Sequence, residues 1–108
     1  MPRTRRTRRP PPRALSPAWC PDDLDEVDWQ RGLRSQFGRE QKFRWTHLDG
    51  PLPFGRFRVE NPAAKTAYEV AVRSERPGDN FCSCPDFAGN HLGTCKHLEF
   101  LLHRLARR

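Results

Sequence analysis

"FCSCPDFAGNHLGTCKH", residues 81–97, decides how this chain is read, because three of its four cysteines and two of its four histidines fall inside it. They arrive as two pairs, Cys82 with Cys84 and Cys95 with His97. In an extended segment alternate side chains share a side, so Cys82 and Cys84 can present two sulfurs to one point while Ser83 turns away. Pro85 then stops the strand. Cys95 and His97 cannot both face one ion from inside a regular helix, since two residues subtend about 200° around its axis. Cys95 is therefore expected at a helix entrance with His97 in the first turn. The positive end of the helix dipole favours thiolate there, the form that ligates metal. The spacer "PDFAGNHLGT" (85–94) contains Gly89 and Gly93 and is long enough to fold back and close a ring of four ligands.

Three thiolates and one imidazole form a closed tetrahedral set for a single Zn2+. Calcium and magnesium want oxygen, and iron–sulfur clusters usually want four cysteines at other spacings. Cys82 and Cys84 lie too close in an extended strand to bridge each other easily. A structural zinc contributes on the order of 10–16 kcal/mol at neutral pH, more than a hairpin and a helix could supply from their own apolar contacts.

Outward from this stretch, "CKHLEFLLHRLARR" (95–108) predicts a helix with Thr94 as its N-cap. Leu98, Leu101, Leu102 and Leu105 form one apolar stripe, and Arg104, Arg107 and Arg108 lie near the negative end. On the other side, "FRVEN" (57–61) and "AYEVAVRS" (67–74) alternate apolar and polar residues and read as an antiparallel hairpin turning at Asn61-Pro62. A second turn, "ERPGDN" (75–80), leads into Phe81. "RWTHLDGPLPFG" (44–55) has the glycine and proline density of a connector. Before it, Pro21 and the acids Asp22, Asp23, Asp25 and Glu26 suit a helix start, and Trp29, Leu33 and Phe37 share one face. A helix over about 21–37 is predicted, which Gly32 and Gly38 weaken or end.

With 108 residues, eleven prolines and 35% apolar residues, the chain has room for one small domain and little core of its own. No stretch approaches the roughly 20 apolar residues of a spanning helix, so no membrane role is expected. The net charge of +7 is a property of one end: Arg3, Arg5, Arg6, Arg8, Arg9 and Arg13 leave 14 basic against 13 acidic residues in the remainder. Its prolines argue against an amphipathic transit helix, and no apolar run follows the arginines as in a secretory signal. The expected address is the cytoplasm, where clustered thiols hold metal more often than they form disulfides. Residues 1–18 read as a disordered Arg/Pro-rich arm, 19–55 as a helical segment and connector, and 56–108 as the metal-centred unit. The fold class expected is a small α+β protein, a zinc-centred β-hairpin plus C-terminal helix (ββα-like) with an extra helix before it.

The C-x-C and C-x-H pairs, set in "CSCPDF" and "CKHLEF", resemble the SWIM-type zinc finger over roughly residues 57–105. The resemblance implies a small ββα-like unit binding one Zn2+ through Cys82, Cys84, Cys95 and His97. The family occurs in bacterial Swi/Snf-type helicase-like ATPases, transposases and related proteins, and its expected role is to bind DNA or protein. The chain lacks the G-x-x-x-x-G-K-[ST] phosphate loop of a motor, so it looks like an accessory leading portion of such a protein or a free-standing relative.

Other polar residues are discounted. His91 lacks a partner at short spacing, His47 and His103 suit surface or packing roles, and Cys20 reads as an ordinary free thiol. Asp86, as a turn residue, and Glu99, as an exposed helix residue, are poor general bases, and four protein ligands leave a metal no room for water. An enzyme is not expected. The leading function is a module binding nucleic acid, DNA in preference to RNA. The arm would neutralise phosphates, and Arg73, Arg76, Lys96 and Arg104 would add a basic surface around the finger. The alternative is a protein-interaction module, meeting a helicase-like or other partner through exposed aromatics such as Trp45, Phe54 or Phe87.

Overall fold

The computed structural model describes residues 14–76 and 78–107, so of the arm expected to be disordered over residues 1–18, residues 1–13 lie outside the described residues, whereas Leu15 and Ser16 are bonded to the first helix. Closer to the fold, Leu15 is held to the first helix by two bonds with Gln36, N to Oε1 at 2.7 Å and O from Nε2 at 3.1 Å. The indole Nε1 of Trp29 donates to Ser16 O at 3.0 Å.

Helix α1 runs Glu26–Glu40 rather than from Pro21. Asp25 takes the N-cap because its carboxylate accepts the Asp28 amide at 2.7 Å, while Pro21 and Leu24 close a separate turn at 3.2 Å. The helix passes through Gly32 and Gly38. A Cβ at Gly38 would lie 2.7 Å from the Phe100 amide nitrogen, so this glycine admits a neighbouring helix instead of ending its own.

Strand β1 (Arg44–Asp49) occupies much of the stretch expected as a connector. It pairs antiparallel with β2 (Gly55–Asn61), placing Trp45 opposite Val59 and His47 opposite Phe57. The turn residues that dominated this stretch fall after it, from Gly50 in the loop to Gly55 at the start of β2, with φ of +93° and +116° at these two glycines. A Cβ at Gly55 would meet Asp49 O at 2.0 Å. The expected hairpin is present: β2 pairs with β3 (Thr66–Val72), and Asn61 Oδ1 accepts from the amides of Ala63 and Ala64 at 3.1 and 3.4 Å to make the turn. Asn80 shapes the next reversal, its Oδ1 accepting from Arg73 N at 2.7 Å and Ser74 N at 3.1 Å. Strand β4 (Phe81–Cys82) then pairs with β3. The sheet is thus four-stranded, β1-β2-β3-β4, and larger than the hairpin expected from sequence.

Two helices follow, α2 (Pro85–Asn90) and α3 (Lys96–Ala106). Leu98, Leu101 and Leu105 of α3 are buried with Phe57, Val59, Val70 and Val72 of the sheet. Phe100 lies off that stripe yet is also buried, because α3 is covered on two sides, by the sheet and by α1. Cys82, Cys84 and Cys95 belong to the same buried cluster. Among the described residues no helix is long and apolar enough to cross a membrane. The molecule is a small α+β fold whose core runs directly into its cysteines.

Candidate metal centre

Each ligand residue sits at an element boundary. Cys82 ends β4, and Cys84 is the N-cap of α2, with Pro85 supplying the preset φ of a first helical position. Its sulfur accepts from the Phe87 amide at 3.4 Å. Cys95, not Thr94, caps α3, and its sulfur accepts from the Leu98 amide at 3.5 Å. Thr94 instead bonds Glu99, Oγ1 to Oε2 at 2.5 Å, so Glu99 is half-buried and engaged rather than exposed. Two sulfurs therefore stand at two helix N-termini, where partial positive charge and an N–H both favour thiolate. His97 lies in the first turn of α3, as its spacing from Cys95 required.

The spacer is more ordered than a loop. After α2 the chain reverses at His91 (φ +58°) and Gly93 (φ +77°). Asn90 fastens the reversal by accepting from Leu92 N at 2.8 Å and donating to Thr94 O at 3.0 Å. Asp86 is not a turn residue awaiting a proton. Its two oxygens take Arg34 Nε at 3.2 Å and Nη2 at 2.9 Å, tying α2 to α1, and this bond holds the carboxyl below its usual range.

The result is a cluster in which the sulfurs of Cys82, Cys84 and Cys95 and a ring nitrogen of His97 all lie within 4.8 Å of one another, every residue buried. Cys95 Sγ is 3.8 Å from His97 Nδ1. The Cys95 thiol is pushed well up by sharing its proton with Cys82 and by burial, and the Cys84 thiol is raised chiefly by burial. Burial and proton sharing thus oppose ionisation of Cys84 and Cys95 until a cation takes the place of their protons. The donor set of soft sulfur and imidazole fits one Zn2+, and four protein ligands fill its tetrahedral shell.

The other candidates lie elsewhere. His91 is exposed outside the cluster, and Cys20 is a free thiol facing Pro21 O and Leu24 O. His47 packs on Phe57, centroids 4.9 Å apart, and its Nε2 is buried without a partner. His103 bonds Ser35 across the α1–α3 contact. Arg3, Arg5, Arg6, Arg8, Arg9 and Arg13 fall outside the described residues. Arg73 and Arg76 are exposed on the β3–β4 connection, Lys96 is half-buried at the start of α3, and Arg104 is exposed near its end, its guanidinium 5.0 Å above the Phe100 ring. Trp45, Phe54 and Phe87, expected as exposed aromatics, pack against the core; the exposed large apolar side chains include Trp19, Leu48, Leu52 and Phe81. Phe43 and Tyr68, which pack on the His97 ring, carried no sequence signal for that role.

Residues 68–106 match the family model of the SWIM zinc finger, a span running from β3 to the end of α3 and containing all four clustered residues. No curated protein and no solved structure matches the chain.

Proposed function

With a SWIM zinc finger at residues 68–106 as premise, we propose that the chain is a non-catalytic, zinc-stabilised module that binds nucleic acid, duplex DNA above all. Cys82, Cys84, Cys95 and His97 would hold one Zn2+. The observation that carries this is the set of four ligand atoms within 4.8 Å, all buried in continuity with the core. The ion ties β4, α2 and α3 to one point and supplies cohesion that a small core lacks. Filling its shell with protein atoms leaves no position for a reacting water, which supports a binding role.

Nucleic acid is favoured by the basic balance of the chain, a net charge of +7, and by the six arginines of residues 1–13. Such contacts give affinity without a base code and act by counterion release. In this reading residues 56–108 are the finger, 19–55 brace it and 1–18 form an arm whose last residues, from Leu15, are anchored on α1. The zinc thiolates suit a reducing compartment such as the cytoplasm, and a helicase-like motor would be a natural companion. The test compares wild type with a full-length chain carrying glutamine at the six arm arginines, both zinc-loaded, on duplex and single-stranded DNA at two salt concentrations. Keeping the full chain matters, because Leu15 and Ser16 fasten α1. Wild type should bind, with a log–log salt slope of roughly −0.9 for each phosphate neutralised. No binding at low salt sinks the proposal.

A second reading, a protein-interaction module, rests on the exposure of Trp19, 73% accessible, and of Phe81, 42% accessible. Pull-down by a helicase-like partner that survives high salt and is lost in Trp19→Ala or Phe81→Ala would select it.

A further inference from the structure

Alternation along the strands leaves one face of the sheet open. Phe57 and Val59 of β2 turn into the core, so Arg58 and Glu60 turn out on the side away from it. Arg44 of β1 stands opposite Glu60, and Ala67 of β3 stands opposite the same residue from the other flank. Arg44 and Arg58 are thereby diagonal neighbours, about 7–8 Å apart at the backbone, a span that two guanidinium side chains can close on one anion. Ala67 carries too little side chain to fill its place in the row, and a depression of about 230 Å³ opens there. Arg44, Arg58, Glu60 and Ala67 line it, and at the β2–β3 turn Lys65, with φ of +57°, closes it. The backbone beneath is braced from the core side. Phe43, which precedes Arg44, and Tyr68, which follows Ala67, both pack on the His97 ring.

Three cations line this depression against one acid. Glu60 is already drawn to one of them, with Arg58 Nη2 3.8 Å from its Oε2. Among the described residues Arg44 and Lys65 form no ion pair, so two positive charges remain uncompensated. Glu69, the next acid beside Arg58, is held by Arg56 at 3.0 Å. We infer that this depression on the open face of the sheet, rimmed by Arg44, Arg58 and Lys65, seats one backbone phosphate of the bound nucleic acid. This deepens the nucleic-acid reading and rests on it. A phosphodiester is a single anion whose oxygens accept from guanidinium and ammonium groups, and two unpaired cations with a third on the rim suit it. None of the three belongs to the basic surface expected around the finger from sequence, because only the pairing of β1 with β2 brings Arg44 beside Arg58.

The test uses the zinc-loaded full chain and a fluorescent DNA duplex, followed by anisotropy at two salt concentrations. R44Q/K65Q removes the two unpaired charges, and R39Q/R107Q removes the same charge at the ends of α1 and α3. All four residues are exposed, and zinc content and circular dichroism verify that each variant is folded. R44Q/K65Q should weaken binding by about tenfold and reduce the salt slope by about one, the loss of one phosphate contact, whereas R39Q/R107Q should stay within about threefold of wild type. Ala67→Glu, which sets a negative charge on the floor of the depression, should reproduce the loss, and the neutral Ala67→Gln should bind more tightly than Ala67→Glu. In isotope-labelled wild type the amides of Arg44 and Ala67 should shift on titration with the duplex. If R44Q/K65Q binds like R39Q/R107Q, or those amides stay still while wild type binds, the seat is wrong and the nucleic-acid reading stands. If wild type itself does not bind at the lower salt, both fall.

Discussion

The imidazole of His97 stacks on the ring of Phe43, centroids 5.2 Å apart and planes 28° from parallel. Tyr68 adds a second ring at 4.8 Å. Phe43 comes from the approach to β1 and Tyr68 from β3, so parts of the chain outside the ligand pairs set the angle of the nitrogen ligand. The nitrogen turned toward the Cys95 sulfur is Nδ1.

Phe43→Leu keeps an apolar filler but removes the stacked plane. Loss of a group that orients a ligating histidine costs about 10–100-fold in metal affinity, and this variant should sit near the lower end of that range with the fold intact. Competition against a chromogenic chelator measures it. Phe43→Ala, which also opens a cavity in the core, should cost about 3–5 kcal/mol of stability. Wild-type zinc affinity in Phe43→Leu would mean that the ring only fills space.

Zinc loading should release protons. The raised thiols of Cys84 and Cys95 hold their protons at neutral pH in the metal-free fold, and a cation must displace them. About three protons per zinc are expected in weakly buffered solution at pH 7, read by an indicator dye, and about two from Cys95→Ser if it still binds. The sign follows directly: lowering the pH returns protons to sulfur and nitrogen and lowers occupancy. Release of less than one proton per zinc by wild type would contradict sulfur ligation.

The metal centre was legible in sequence because its chemistry lies in residue type and short spacing. C-x-C at a strand end and C-x-H at a helix entrance are local requirements, and the fold meets both. The stripe of α3 and the alternation of β2 and β3 are local too. What escaped was decided by competition between neighbours or by contacts distant in sequence. Asp25 outcompeted Pro21 as the start of α1 through one carboxylate bond, and a cysteine sulfur took the cap expected from Thr94. β1 was hidden because Trp45 and His47 alternate correctly, but Gly50, Pro51, Pro53 and Gly55 crowd the turn beside them. Gly38 resembled a helix terminator and is a helix contact, which only the position of α3 reveals.

Gly38 and Gly89 should therefore respond oppositely to alanine. At Gly38 the new methyl would lie 2.7 Å from Phe100 N and 2.9 Å from Glu99 Cβ, so α1 and α3 must separate. Overpacking of this kind costs about 1–3 kcal/mol, and the gain in helix propensity of about 1 kcal/mol does not reverse it. At Gly89, exposed in α2, nothing lies within 4 Å of the added carbon. Gly89→Ala should stabilise by about 0.5–1 kcal/mol. Urea titration of the two zinc-loaded variants checks the pair, and a stabilised Gly38→Ala would show the helices to be farther apart than described.

His103 should make stability depend on pH near neutrality. Burial is the main reason its imidazole resists protonation, Arg39 and Arg107 add to it, and Glu99 and a hydrogen bond to the Ser35 backbone oppose them. The unfolded chain takes up this proton near the ordinary value of about 6.5, whereas the folded chain waits until a lower pH. Between those two values the unfolded state binds more protons, so unfolding becomes easier as the pH falls. The contribution is fully present above pH 6.5 and is lost as the pH drops through the folded value. His103→Gln, which keeps a hydrogen-bonding group for Ser35 but cannot titrate, should lose less stability than wild type on going from pH 7 to the acid side. Both proteins must be measured with excess zinc, so that acid release of the metal acts on each alike and cancels in the difference. Parallel stability curves for the two proteins, or a His103 proton NMR titration midpoint at or above 6.5, would show that the imidazole is solvated and that the α1–α3 contact is looser than its Ser35 bond implies.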